Sequence, residues 1–140
     1  MQPEVVRYVA GLLFSKDMNR VALIQKARPE WQKGRLNGIG GHVEPGETEA
    51  DAMHREFREE TGASVNWTRF CTLRGHTWTV EWFKAWMDVQ LSDQTDEHVD
   101  WFNVADVLNG VIPNVIPNVR WLVLLALDKD DVQAVVDDPS

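Results

Sequence analysis

This chain predicts an α/β arrangement in which a mixed β-sheet lies between helices. Three observations point that way. Strand-like, β-branched runs stand both before and after one helical segment. That segment opens on capping-box spacing and closes at a glycine. A second helical segment follows the last strands. The length fits one domain spanning 1–140, because a chain of 140 residues can bury roughly 68–70% of its unfolded surface. Apolar residues are 44% and charged residues 26% of the chain, which excludes a disordered or fibrous class.

The elements follow in order. Val5, Val6, Tyr8, Val9, Leu12 and Leu13 lead an apolar run to Phe14, and Val21 to Ile24 resume it after the polar Ser15 to Arg20 stretch. A hairpin is the reading of that pattern. Arg28 to Gly41, rich in Gly, Pro and Asn, reads as a loop leading into a short extended piece. Thr48-Glu49-Ala50-Asp51 and Gly62 bracket a helix over 49–61, with Ala50, Met53 and Phe57 on its apolar face. Residues 64–90 return to strands. There Trp78, Val80, Trp82 and Trp86 share one parity and Thr79, Phe83, Ala85 and Met87 the other, as in a strand covered on both faces. Asn103 caps a short helix to Leu108, ended by Gly110, and Pro117 opens a helix with Trp121, Leu122, Leu124 and Leu125. The acidic stretch 128–140 is expected to fray.

Charge and cysteine usage exclude several functions. Lys plus Arg is 14 against 22 Asp plus Glu, a net charge of −8. That argues against binding a nucleic acid polymer, which calls for a basic footprint. Small phosphorylated ligands remain open, because a metal ion can reverse the local sign. The single cysteine, Cys71, excludes an internal disulfide and a multi-thiolate zinc site, and reads as a small buried hydrophobe. No signal-peptide pattern opens the chain, and the apolar run Trp121 to Leu127 is too short to span a bilayer. The expectation is a cytoplasmic protein without membrane contact, monomeric or homodimeric.

The helix carries the chemistry. Glu56, Glu59 and Glu60 fall within an arc of about 100°, since residues three and four apart are helical neighbours. Each like-charge pair costs about 0.2–0.5 kcal/mol on an isolated helix. A hard divalent cation, which binds carboxylate and phosphate oxygens together, removes that cost.

Those acids sit in a longer pattern: Gly41, five residues, Glu47, seven residues, then Arg55-Glu56-Phe57-Arg58-Glu59-Glu60-Thr61-Gly62-Ala63. It resembles the signature box of the MutT-like Nudix hydrolases, and all seven fixed positions match. At residue frequencies of about one in fifteen, a chance match is on the order of 10⁻⁸ per start site. Phe57 and Ala63 stand where bulky aliphatics are usual, and both can still pack on a sheet. The box covers 23 of 140 residues, and the strand pattern around it suits the family's α/β/α sandwich.

The resemblance implies roles. Glu56, Glu59, Glu60 and the Gly41 carbonyl would bind Mg²⁺ or Mn²⁺, with Glu59 nearest the attacking water. Arg55 and Glu47 would pair and hold the loop to the helix. A further acid often joins this site beyond the sheet. Asp96 and Glu97 are the candidates here, Glu97 first.

The stretch Gly34 to Glu44 resembles the eukaryotic 8-oxo-dGTP-hydrolysing members of the family. In those members an asparagine matching Asn37 reads the purine base, a task suited to an amide that both donates and accepts. Gly40, His42 and Trp121 are the other expected substrate neighbours, with Trp31, Trp78 and Trp82 as further stacking faces. Those members carry adjacent aspartates where this chain has Asn118 and Val119, which leaves oxidised-base specificity open. The implied function is a Mg²⁺-dependent pyrophosphohydrolase of nucleoside triphosphates, oxidised purine nucleotides among them, releasing the monophosphate and pyrophosphate. The alternatives are hydrolysis of another nucleoside diphosphate derivative, such as a nucleotide sugar or ADP-ribose, or a non-catalytic nucleotide-sensing module.

Overall fold

The computed structural model describes residues 4–128 and 133–138. Its strands are β1 (Val6–Phe14), β2 (Arg20–Gln25), β3 (Leu36–Asn37), β4 (Ile39–His42), β5 (Thr68–Arg74), β6 (Trp78–Trp86), β7 (His98–Asn103) and β8 (Ala134–Asp137). The helices are α1 (Glu49–Thr61), α2 (Val104–Leu108) and α3 (Pro117–Ala126), with a 3-10 turn at Glu30–Gln32. The sheet runs β3-β2-β1-β6-β5-β8, while β4 also pairs with β1 and β7 with β2. It is mixed: β1 lies parallel to β6 from Val6–Trp78 to Phe14–Trp86, but antiparallel to β2 and β4.

Alternation along the central strands sorts the core into two layers. Val9, Leu13, Ala22, Ile24, Phe83 and Ala85 pack with Ala52, Met53 and Phe57 of α1. Ala10, Leu12, Phe14, Leu23 and Trp82 pack on the opposite side with Val104 and Val107 of α2 and Val119, Leu122 and Val123 of α3. The expected α/β/α sandwich and the two-sided β6 are both present.

The caps act as the sequence indicates. Thr48 Oγ1 accepts from the Asp51 backbone N–H at 3.1 Å. Gly62 closes α1 at φ +77°, a left-handed position that favours glycine. Asn103 Oδ1 accepts from Ala105 and Asp106 at the start of α2.

Four expectations need correction. Ala50 is exposed, and the buried stripe of α1 is Ala52, Met53, Phe57, Glu60 and Thr61. Met53, Phe57 and Glu60 stand at i, i+4 and i+7, so one glutamate lies on the core side of the helix. The hydrophobic face of α3 is Val119, Leu122, Val123 and Ala126, which leaves Trp121 on the outside, 39% exposed. The acidic stretch does not simply fray. Ala134–Asp137 adds a parallel strand to the edge of β5, fastened by Arg74–Asp137 at 2.9 Å; positions 129–132 and 139–140 of that stretch lie outside the described residues. Residues 98–103, assigned no strand above and read only for the Asn103 cap, form β7 along β2.

β4 approaches β1 so closely that Gly40 has no room for a side chain. A Cβ there would lie 1.9 Å from the Val9 carbonyl oxygen and 2.7 Å from the Ala10 Cα. Both are backbone atoms that cannot step aside. Gly40→Ala is therefore expected to lose about 3 kcal/mol or more, against about 1 kcal/mol for the cap variant Thr48→Ala. Urea melts of the two variants check this, and wild-type stability in Gly40→Ala would refute the close-approach account.

Candidate active site

A cleft of about 1110 Å³ opens between the α1 face and the far end of the sheet, lined by residues of β1, β4, β6, α1 and the 26–38 segment. One wall is acidic. Gly41, on β4, faces α1 directly: a Cβ there would lie 2.5 Å from the Glu56 carboxyl carbon, so only glycine lets this carboxylate press against the strand. Burial pushes the Glu56 carboxyl up from its ordinary value, against the lowering pull of Arg55.

Arg55 ties the wall together. Its Nε and Nη2 donate to the two oxygens of Glu47 at 2.8 and 3.0 Å, a bidentate pair. Nη2 also donates to the His42 carbonyl at 3.0 Å, and Nη1 to Glu56 at 3.0 Å and Glu59 at 3.2 Å. Glu47 in turn accepts from the Glu44 backbone N–H at 3.0 Å. The Arg55 hydrogen bonds hold the Glu47 carboxyl down at about 2 and raise the guanidinium. The loop and helix predicted to be joined by this pair are joined by it.

Glu60 is different in kind. It is 7% exposed, and its Oε2 is buried with no hydrogen-bond partner in the protein. Burial, aided by Glu56, Glu97 and Glu59, raises its carboxyl to about 8, while Lys26 pulls the other way. Glu97 comes from the segment before β7 and is also buried. Its Oε2 accepts from the Ala27 backbone N–H at 2.6 Å, and Lys26 Nζ lies 3.5 Å away. Asp96, the other candidate, is outside the cleft, in an exposed ion pair with Arg28.

The donor set suits a hard divalent cation: carboxylate oxygens on one helix, one of them buried and unpaired, beside a backbone strand. Among the described residues, no three acidic, histidine or cysteine side chains are already closed into a metal cage; Arg55 stands between Glu56 and Glu59.

The rest of the lining carries the substrate candidates. Asn37, Gly40 and His42 border the cleft, His42 with its ring 4.5 Å from that of Tyr8. Gly40 is constrained by β1 rather than by the opening. Trp31, 61% exposed, and Trp78 and Trp82 also border the cleft, but Trp121 does not. Sequence reasoning missed Lys26 and Gln32, and it noticed Asn118 only as a departure from the family pattern. Asn118 Oδ1 and Trp82 Nε1, of residues that also line the cleft, are buried without protein partners. No spacing signal could have gathered these residues, which meet only through sheet pairing.

The NUDIX domain model matches residues 5–122 of this chain. Solved structures show the same fold at low identity. MutT, reported from the psychrophilic fish pathogen Aliivibrio salmonicida and the mesophile Vibrio cholerae, matches with 24% identity and TM-score 0.71, over 86% of this chain and 98% of that one. A NUDIX hydrolase from Nitrosomonas europaea matches with 16% identity and TM-score 0.74, over 99% and 82%. The NUDIX domain of Shewanella oneidensis NrtR, solved with ADP-ribose, matches with 21% identity and TM-score 0.70, over 90% and 88%. No curated protein sequence matches. The chain belongs to the NUDIX domain family. No helix among the described residues is long and apolar enough to cross a membrane.

The elevated Glu60 carboxyl has a measurable consequence. Its folded value, about 8, lies above the ordinary 4.5, so the folded state binds this proton more tightly than the unfolded chain does. Its stabilising effect is full below pH 4.5 and is lost as pH rises through about 8. In cation-free buffer, wild-type stability should therefore fall relative to Glu60→Gln between those limits. Parallel stability–pH curves for the two proteins would contradict a buried, protonated Glu60.

Proposed function

We propose that this chain is a Mg²⁺- or Mn²⁺-dependent pyrophosphohydrolase that converts nucleoside triphosphates and water to the monophosphate and pyrophosphate. The observation that carries the reading is the unpaired, buried Glu60 oxygen beside Glu56 and Glu59. An orphaned carboxylate oxygen at the wall of an open cleft is costly unless a ligand uses it. Glu56, Glu59, Glu60 and the Gly41 carbonyl would hold the cation, with Glu97 beside Glu60 as a further acid. The bound cation would supply Lewis acidity toward the diphosphate and acidify a water.

The protein's own groups have separate tasks. Glu59, the most exposed of the three clustered acids with its side chain 57% accessible, would take a proton from water in the cleft. Arg55 fixes Glu47 and the 44–47 turn and restrains Glu56 and Glu59. Lys26, in the same cleft, offers a cation to phosphate oxygens. Asn37 would meet the base, and Trp31, Trp78 and Trp82 would form the apolar wall for it. A second reading, hydrolysis of a larger nucleoside diphosphate derivative, draws support from the size of the cleft and from the ADP-ribose held by the Shewanella oneidensis neighbour.

A panel of nucleoside triphosphates, ADP-ribose and nucleotide sugars, assayed with Mg²⁺ for product identity, tests the proposal. Triphosphates should turn over fastest and release pyrophosphate rather than orthophosphate. Glu59→Gln should lower kcat by about 10²-fold or more with an unchanged or higher Tm. Near-normal turnover in that variant would remove Glu59 from the reaction, and a clear preference for ADP-ribose would favour the second reading.

A further inference from the structure

Asn37 sits in a hydrogen-bond chain whose direction is fixed by the backbone. The Gly38 N–H can only donate, and it meets Asn37 Oδ1 at 2.8 Å. That places Nδ2 on the other side of the amide, where it donates to Gln32 Oε1 at 3.1 Å. An amide offers two N–H donors and two oxygen lone pairs. One of each is consumed here. What remains is one Nδ2 hydrogen and one Oδ1 lone pair on a residue that borders the cleft.

Both ends of this chain are anchored. Asn37 belongs to β3 and pairs with Ile24 of β2. Gln32 ends the 3-10 turn: its N–H donates to Pro29 O at 2.9 Å, and its carbonyl accepts from Arg35 N–H at 2.8 Å. The turn is closed at its base by Lys26 N–H to Arg35 O at 2.8 Å and Gly34 N–H to Lys26 O at 2.7 Å. The Gln32 acceptor is thus presented from a braced loop rather than from a free side chain on the surface.

We infer that Gln32 is a positioning residue for base selection, holding the Asn37 amide so that it shows the ligand a fixed donor–acceptor edge. The matching ligand is a nucleobase with an acceptor, a carbonyl or ring nitrogen, next to an N–H or amino donor. Holding the amide before the ligand arrives removes an ordering cost that binding would otherwise carry. Gly38 alone restrains the oxygen side, and without Gln32 the amide is free to rock about that single bond. The inference rests on the proposal that Asn37 meets the base.

The test compares kcat/KM across a panel of nucleoside triphosphates for wild type, Asn37→Ala, Gln32→Leu and Gln32→Glu, with Tm measured alongside. Gln32→Glu keeps an acceptor at the same reach, whereas Gln32→Leu removes it. The expected result is that Asn37→Ala and Gln32→Leu both compress the ratio between best and worst base, by about tenfold for a lost hydrogen bond, while Gln32→Glu retains the wild-type ratio. Three results would overturn the inference. If Asn37→Ala collapses the ratio and Gln32→Leu does not, Asn37 needs no help. If Gln32→Glu shifts the ratio as much as Gln32→Leu, Gln32 touches the base itself. If both Gln32 variants lose all substrates evenly with a lowered Tm, the bond only braces the loop. An unchanged ratio in Asn37→Ala is a separate failure, because it removes the base-reading proposal on which the inference stands.

Discussion

Crowded negative charge around the C-terminal half of α1 is the constraint to which the rest of the site answers. Glu56, Glu59 and Glu60 share one stretch of helix, and Glu97 joins them from the segment before β7. Two cations in the protein meet part of this charge. Arg55 bonds Glu47, Glu56 and Glu59 together, and Lys26 lies beside Glu97. Glu60 Oε2 receives no bond from either. Burial, with like charges around it, pushes its carboxyl up to about 8. The helix is kept against β4 despite that repulsion by its buried stripe, where Met53 and Phe57 enter the core beside Glu60.

The same economy of space explains the glycines of the 40–41 pair. Gly40 lets β4 lie on β1, and Gly41 lets Glu56 lie on β4. A strand without side chains at these two places brings a backbone segment and a carboxylate into one corner of the cleft. The layered fold supplies the rest: α1 closes one side of the sheet, α2 and α3 the other, and the open end of β1 and β6 becomes the floor between them.

Much of this was legible in the sequence where the signal is local. The α1 boundaries follow from Thr48 and Gly62, and the link between Glu47 and Arg55 follows from a pattern within one contiguous stretch. Where a residue's position depends on what packs against it, the sequence says less. Glu60 was read as part of an acidic face, though its spacing from Met53 and Phe57 places it on the buried side. Nearly every position of α3 is apolar, so periodicity could not tell that Trp121 points away from the cleft. β7 and β8 are short, and they exist because β2 and β5 offer edges to pair with. Lys26 and Gln32 lie in a loop whose closure rests on backbone bonds between residues 26 and 35, which no composition rule reveals.

The central claim is that the unpaired carboxylate at Glu60 belongs to a divalent-cation site. The direct measurement is a thermal melt of the nucleotide-free protein with and without millimolar Mg²⁺ or Mn²⁺, repeated for Glu60→Gln. A ligand that binds only the folded state stabilises it by about 2.7 kcal/mol at a hundred times its Kd. The account predicts that either cation raises the wild-type Tm by several degrees and that the rise is largely lost in Glu60→Gln. A wild-type Tm indifferent to both cations, with nucleotide absent or present, would contradict it.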